Sequence, residues 1–290
     1  MRPLGIAGIV PLALTLALAL APRPAAAQWA RVAPGLSLLQ QSRVVAGLPR
    51  VVSALRVDLC HPAVELRVTT PAEQGRTVVQ WARRVGAAAA INGDYFDPHT
   101  LRPLGPTRGA GVDWPTRPWE LHEALFVAAP GGRAALLDTL TPAGALTPNA
   151  ALAPPTWTEL LAGRERVLVG GEPRDNPALS PRHERHPRTG LGLSRDGHTL
   201  VLVVIDGRSP LSAGATPREL GQVLRDLGAW EGIKLDGGGS SGMFVRGRGV
   251  VNRPSDGHPR AVATHLGVMV GTPRVDAPPR CSVDLAARPD

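Results

Sequence analysis

Aromatic side chains are scarce in this chain: one tyrosine, three phenylalanines and six tryptophans make up 3% of 290 residues. Lysine is scarcer still, because Lys234 stands alone and the rest of the basic charge is arginine. The net charge of +8 falls to +6 once Arg2 and Arg23 of the N-terminal segment are removed. These arginines are scattered beside Pro and Gly. They form no stripe interleaved with aromatic rings, which argues against a nucleic-acid platform. An anionic glycan or wall polymer remains compatible with them. Cysteine is limited to Cys60 and Cys281, too few for a disulfide framework. Neither has the His or Asp neighbourhood of a catalytic thiol or a zinc site. Either the two bridge the C-terminal tail to an early strand, as an oxidising compartment would favour, or they stay free and buried. There is no internal repeat and no heptad run.

The N-terminal segment is a targeting signal by its pattern. Arg2 gives a positive start, Leu4 to Ala21 is almost wholly apolar, and Ala25-Ala26-Ala27 supplies small residues for cleavage after Ala27. Pro11 and the small-residue exit favour a cleaved signal over a membrane anchor, so a secreted or periplasmic protein without stable membrane insertion is expected. The chain then divides into a signal peptide (1–27), an N-terminal extension (28–50), one domain (51–272) and a C-terminal tail (273–290).

Within that domain, Val51–Leu59 and Val64–Thr70 alternate as paired strands, and Thr77–Val85 has the spacing of a short amphipathic helix ended by Gly86. Ala87–Ile91 reads as a buried strand. Hairpins are expected around Pro130-Gly131-Gly132 and around Arg195-Asp196-Gly197-His198. Thr216-Pro217-Arg218-Glu219 has a capping box with proline at the first helical position, and Leu220, Val223, Leu224 and Leu227 follow at helical spacing. Taken as strand, helix and strand, Leu200–Asp206, Pro217–Leu227 and Ile233–Asp236 predict a parallel pair with a right-handed crossover. The expected fold is therefore α/β (mixed α+β): a single domain whose central mixed sheet carries at least one right-handed βαβ unit and several hairpins.

That topology places Asp206 and Asp236 at the C-terminal ends of apolar strands, on the rim where open α/β sheets bind ligands. Asn92, at the end of the Ala87–Ile91 strand, is expected to join them. Asp236 opens the run Gly237-Gly238-Gly239-Ser240-Ser241, whose backbone amides and hydroxyls suit a phosphate or another oxyanion. No lysine follows to make a nucleotide P-loop. Asp206-Gly207-Arg208 repeats the theme, with Arg208 as a fork for an anionic group. Gly238-Gly239-Ser240-Ser241-Gly242 also fits the serine-hydrolase nucleophile pattern, with Asp256 and His258 or His265 downstream. That motif should open a helix, whereas Met243-Phe244-Val245 reads as a strand.

Five ordered blocks stand between about Val51 and Val270: Asn92-Gly93-Asp94-Tyr95-Phe96, Pro187-Arg188-Thr189, Asp206-Gly207-Arg208, Leu235 to Ser241, and Asn252-Arg253-Pro254-Ser255-Asp256-Gly257. Together they resemble the phosphodiester glycosidase family, typified by enzymes that release N-acetylglucosamine from a sugar phosphodiester. Gly242 and Ala215 depart from the pattern, where Thr and Met are usual. The resemblance implies an exported hydrolase cleaving sugar-1-phosphate diester linkages in cell-envelope or extracellular glycans. Asp206 and Asp236 would be the carboxyl pair. Arg188, Arg208 and the Gly237–Ser241 backbone would hold phosphate. Asn92, Gly93 and Thr189 would orient substrate oxygens. Asp94, Phe96, His186, Arg253, Asp256 and Arg260 are further candidates. No metal site is assigned, although Asp94, Asp97, Asp206 and Asp236 are oxygen donors available to Ca²⁺ or Mg²⁺. His265 is expected in the core, and Trp114 and Trp119 are placed either as a sugar-stacking platform or in loop packing. The rival readings are a Ser240-dependent serine hydrolase and a non-catalytic binder of anionic glycans.

Overall fold

Short apolar runs broken by glycine turns favour hairpins, and hairpins dominate the computed structural model, which describes residues 28–45, 47–115, 122–139, 156–179, 184–272 and 281. The largest sheet has eight strands in the order β1 (Ala30–Ala33), β2 (Leu36–Val45), β3 (Leu48–Asp58), β16 (Thr199–Ile205), β15 (Arg188–Leu193), β17 (Glu231–Lys234), β13 (Glu165–Val169) and β14 (Glu172–Pro173). A second, five-stranded sheet runs β11 (Arg133–Asp138), β10 (Ala124–Ala129), β12 (Glu159–Gly163), β8 (Thr107–Gly109) and β9 (Val112–Asp113). The third, also five-stranded, runs β19 (Gly249–Val250), β18 (Met243–Val245), β5 (Ala89–Asn92), β20 (His265–Val270) and β4 (Val64–Val68). A small ribbon pairs β6 (Phe96–Asp97) with β7 (Arg102–Pro103).

The expected mixed sheet with a right-handed βαβ unit is not what forms. Every strand pair among the described residues is antiparallel, and the two α-helices there are α1 (Val78–Val85) and α2 (Pro217–Asp226). The fold is mostly β. The reason lies in the hairpin at Arg195–His198. It folds β15 back against β16, so that Leu193 faces Leu200 on one side and Glu231 on the other. The place beside β16 that a direct crossover would have given to β17 is already filled. Strands β16 and β17 still point the same way, each antiparallel to β15, with that strand between them.

The three larger sheets share one core. Leu55, Leu202 and Ile233 of the first sheet meet Ile91, Met243 and Leu266 of the third and Phe126 and Leu161 of the second. On its other face the eight-stranded sheet is covered by α2, whose Leu220, Val223 and Leu224 pack on Val201, Val203 and Val167. The Thr216 and Glu219 side chains close the capping box there. Helix α1 buries Trp81 against the outer face of the third sheet and ends at Gly86 in the left-handed conformation that glycine tolerates. Strands β1 and β2, in the stretch expected as an extension, form one edge of the main sheet. Cys60 and Cys281 form a disulfide with Cα atoms 5.1 Å apart. The predicted signal peptide, Trp119 and, apart from Cys281, the C-terminal tail lie outside the described residues. Among the described residues no helix is long and apolar enough to cross a membrane.

The α2–sheet contact sets a clear test. A Cβ on Gly221 would sit 1.9 Å from the Val167 carbonyl oxygen. Alanine gains about 1 kcal/mol in helix propensity, but overpacking of this kind typically costs about 1–3 kcal/mol. Gly221→Ala is therefore expected to lower the urea midpoint. A raised midpoint would show that α2 is free to lift off the sheet.

Candidate active site

The first turn of β15 is the axis of the site. Pro187 and Arg188 lie between the turn that follows β16 and the turn that follows β17. A Cβ on Gly207 would meet the Pro187 nitrogen at 2.7 Å, and one on Gly237 would meet the Pro187 oxygen at 2.7 Å. Glycine is required at both places by close approach of backbone. Gly238 N–H donates to the Pro187 carbonyl at 2.9 Å, which ties the triple-glycine turn to the central strand. The same end of the sheet thus carries both acidic turns, as expected from the strand directions. Strand spacings of about 5 Å separate their backbones by roughly 10 Å.

Asn92 enters from the third sheet and joins these turns. Its Nδ2 donates to the Asp236 carbonyl at 2.8 Å, while its Oδ1 accepts from the Thr189 hydroxyl at 2.7 Å and the Gly242 N–H at 3.1 Å. Gly93 accepts from Asp236 N–H at 3.1 Å, and its own bare Cα lets Thr264 and Leu161 close in. Asn92, Gly93 and Thr189, expected to orient substrate, are committed to one another and to the Asp236 turn. They position the site from beneath.

The two carboxyl groups have separate surroundings. Asp206 is buried and accepts the Arg253 N–H at 3.0 Å and the Asn252 amide at 3.4 Å. Burial raises its pKa, and these donors pull it back. Asp236 is half-buried at the lip of the rim. Burial lifts its carboxyl to about 6, opposed by the Ser240 hydroxyl and the Gly237 N–H and assisted by the negative charge of Asp94. Arg260 is the cation that acts on it. Asp94 is thus the acidic group whose charge acts on Asp236, and Asp206 instead accepts from the loop after β19.

The triple glycine makes room for side chains more than for an open cradle of amides. The amides of Gly237, Gly238, Ser240 and Ser241 all bond within the protein. A Cβ on Gly239 would sit 2.1 Å from Arg260 Nη2 and 2.2 Å from Asp256 Oδ2. Asp256 and Arg260 are themselves paired at 2.6 Å. The Arg208 guanidinium approaches Gly238, at 3.2 Å from where a Cβ would be. Arg208 adopts φ 58°, unusual for a side chain of its size. It is exposed and makes no ion pair among the described residues. Arg188 is buried, which lowers its pKa, and bonds the carbonyls of Ala215 and Glu184.

The other candidates divide cleanly. Asp94 is buried and accepts from Tyr95 N–H, Gly105 N–H and the fully buried His122 ring at 3.1 Å. Phe96 is half-buried on β6. His186 pairs with Glu184 at 3.0 Å at the edge of the site. Arg253 offers its backbone to Asp206 and leaves its side chain exposed. Asp97 caps its own turn through His99 and Thr100, so among the described residues no three of the four acidic candidates converge on one ion position. Ser240 lies in a short 3-10 turn, not at a helix start, and His265 bonds Thr69 in the core. Trp114 is buried and donates to the Thr69 carbonyl, which is loop packing. A cleft of about 790 Å³ lined by Glu123, Asp138, Arg166, Trp230 and Glu231 contains none of these residues. Its charges pair internally, Arg166 with Asp138 and Glu231. Sequence reasoning missed His122, Tyr95 and the buried Lys234–Glu165 pair. The solitary tyrosine inside the Asn92 block was the available signal.

The family model for phosphodiester glycosidases matches residues 85–269. The chain is 40% identical over 84 residues to an uncharacterised SPbeta prophage-derived protein, YomE, of Bacillus subtilis. That match spans 29% of this chain and 13% of the relative, a small part of its length. The fold is shared with the catalytic domain of zebrafish N-acetylglucosamine-1-phosphodiester α-N-acetylglucosaminidase auto-inhibited by its pro-peptide. There the TM-score is 0.64 at 22% identity, covering 83% of this chain and 87% of that one. A hypothetical protein from Synechocystis is similar at TM-score 0.59 and 17% identity, over 82% of this chain and 62% of that one.

The Asn92 carboxamide is the structural test of the site. Asn92→Ala leaves the Gly242 N–H, the Thr189 hydroxyl and the Asp236 carbonyl without a partner, each costing about 1–3 kcal/mol when buried. A loss of roughly 3 kcal/mol or more in denaturant unfolding is expected. A loss below about 1 kcal/mol would mean that water replaces the side chain.

Proposed function

The chain belongs to the phosphodiester glycosidase family, and we propose that it is an exported enzyme hydrolysing sugar-1-phosphate diester linkages in cell-envelope or extracellular glycans. Water adds across the bond between the anomeric carbon and the phosphate oxygen, releasing the sugar and a phosphomonoester. N-acetylglucosamine is the sugar suggested by the resemblance noted in the sequence. Export is supported by the apolar leader with its Ala-Ala-Ala exit and by the Cys60–Cys281 disulfide.

The observation that carries this reading is Asp236 at the rim, with its carboxyl lifted to about 6 and the guanidinium groups of Arg208 and Arg260 over the adjoining glycines. In our reading, Asp236 transfers the proton. Arg208 and Arg260, with Arg188 behind them, neutralise the phosphate and the charge that grows on the leaving oxygen. Asp206 is a positioning residue that holds the Asn252–Arg260 loop, and the negative charge of Asp94 adds to the burial that raises the Asp236 carboxyl to about 6.

As a general acid, Asp236 is competent below its pKa of about 6 and loses its proton above it. Turnover is therefore expected to fall on the alkaline side of about 6. Stability follows the same sign: the folded pKa lies above the ordinary 3.8, so folding stability declines as pH rises from 3.8 to about 6. On a panel of sugar-1-phosphodiesters, Asp236→Asn should lower kcat by about 100- to 10,000-fold and abolish the alkaline limb. Unchanged turnover in that variant would remove Asp236 from the chemistry. Binding without turnover by the wild type would support a glycan-binding protein instead.

A further inference from the structure

We propose that Tyr95 is a substrate-contacting residue of this site, its hydroxyl donating to a phosphate oxygen held beside Arg188 and Asp236. This rests on the phosphodiester reading above and adds to it a neutral donor.

The placement follows from strand geometry. Side chains two residues apart share a face of a strand, so Lys234 and Asp236 project from the same side. Gly190 faces Lys234 across the β15–β17 ladder, and Leu235 N–H bonds the Thr189 carbonyl at 2.9 Å, so Arg188 is the cross-strand neighbour of Asp236 on that side. The Tyr95 ring lies against this face. Lys234 Nζ is 5.8 Å from its centroid and the Arg164 guanidinium 5.3 Å. Its backbone is fixed as well: the Tyr95 N–H donates to Asp94 and its carbonyl accepts from Leu104. Asp236 N–H bonds Gly93, two residues before Tyr95, which keeps the ring at the rim.

The chemistry suits a donor. Burial, then the charge of Asp236, raises the pKa of the Tyr95 hydroxyl, so its proton stays in place at any pH where the enzyme works. Two cations against the ring fix its orientation. Lys234 serves as a clamp: it is buried, its pKa is lowered by burial to about 8, and it is ion-paired with Glu165 at 3.1 Å. A phosphate at Arg188 thus meets a fixed neutral hydroxyl beside an acidic carboxyl.

Tyr95 is the sole tyrosine, so protein carrying ring-labelled tyrosine reports this residue alone. Inorganic phosphate is titrated into the full chain by nuclear magnetic resonance, with calorimetry in parallel. The single tyrosine resonance is expected to move with the same saturation as the heat. Tyr95→Phe keeps the ring and its cation contacts. It is expected to bind phosphate about 10- to 100-fold more weakly at an unchanged unfolding midpoint. Binding heat with an unmoved resonance, or an unchanged affinity in Tyr95→Phe, would overturn the proposal. Absence of any phosphate binding by the wild type would overturn it too, and the diester turnover described above then decides the glycosidase reading separately.

Discussion

One side-chain amide holds the site together. The Asn92 carboxamide lies where the third sheet meets the rim of the first, donating to the Asp236 carbonyl and accepting from Thr189 and Gly242. Only a short side chain with a donor and an acceptor on one carbon can do this. Aspartate lacks the donor, and glutamine is a methylene too long. The bonds are buried, so breaking one exposes polar groups to a medium that cannot solvate them. The turn after β17 therefore inherits its position from a strand of another sheet. Its neighbours Gly93 and Asp94 extend the same connection toward Asp236 and the buried His122.

From that fixed point the electrostatics follow. Asp236 is raised because burial penalises its anion and Asp94 repels it, while Arg260 pulls in the opposite direction. The glycines beside it admit the Arg208 and Arg260 side chains to within contact of the backbone. The Asp236 carboxyl and two guanidinium groups thus adjoin one glycine turn that has no Cβ to keep them off. Asp206, on the far side of β15, accepts the Arg253 N–H of the loop that also carries the Asp256–Arg260 pair beside Gly239.

Most strands and both helices were legible, because alternation, capping boxes and glycine turns are local signals. The capping box at Thr216 and the hairpin at Arg195–His198 both appear where the residues place them. Strand order was not legible. The hairpin that was read correctly also excludes the direct β16–β17 pair, yet nothing in either strand says which neighbour it will take. Asn92, Arg188, Arg208 and Asp236 all gather as their blocks suggested. The bonding inside the triple-glycine turn did not follow from composition, since glycine run lengths are silent on where amides point. His122 was invisible for a related reason: its partner Asp94 is 28 residues away and only the folded second sheet joins them.

The Gly242 amide offers the most direct check on the Asn92 connection. Its only acceptor among the described residues is Asn92 Oδ1, at 3.1 Å. Native-state hydrogen exchange of the wild type should find this amide protected to the same degree as the amides of central strand β16. Exchange at the rate of an exposed loop would mean that the carboxamide does not hold the two sheets together, and the positioning of Asp236 would need another cause.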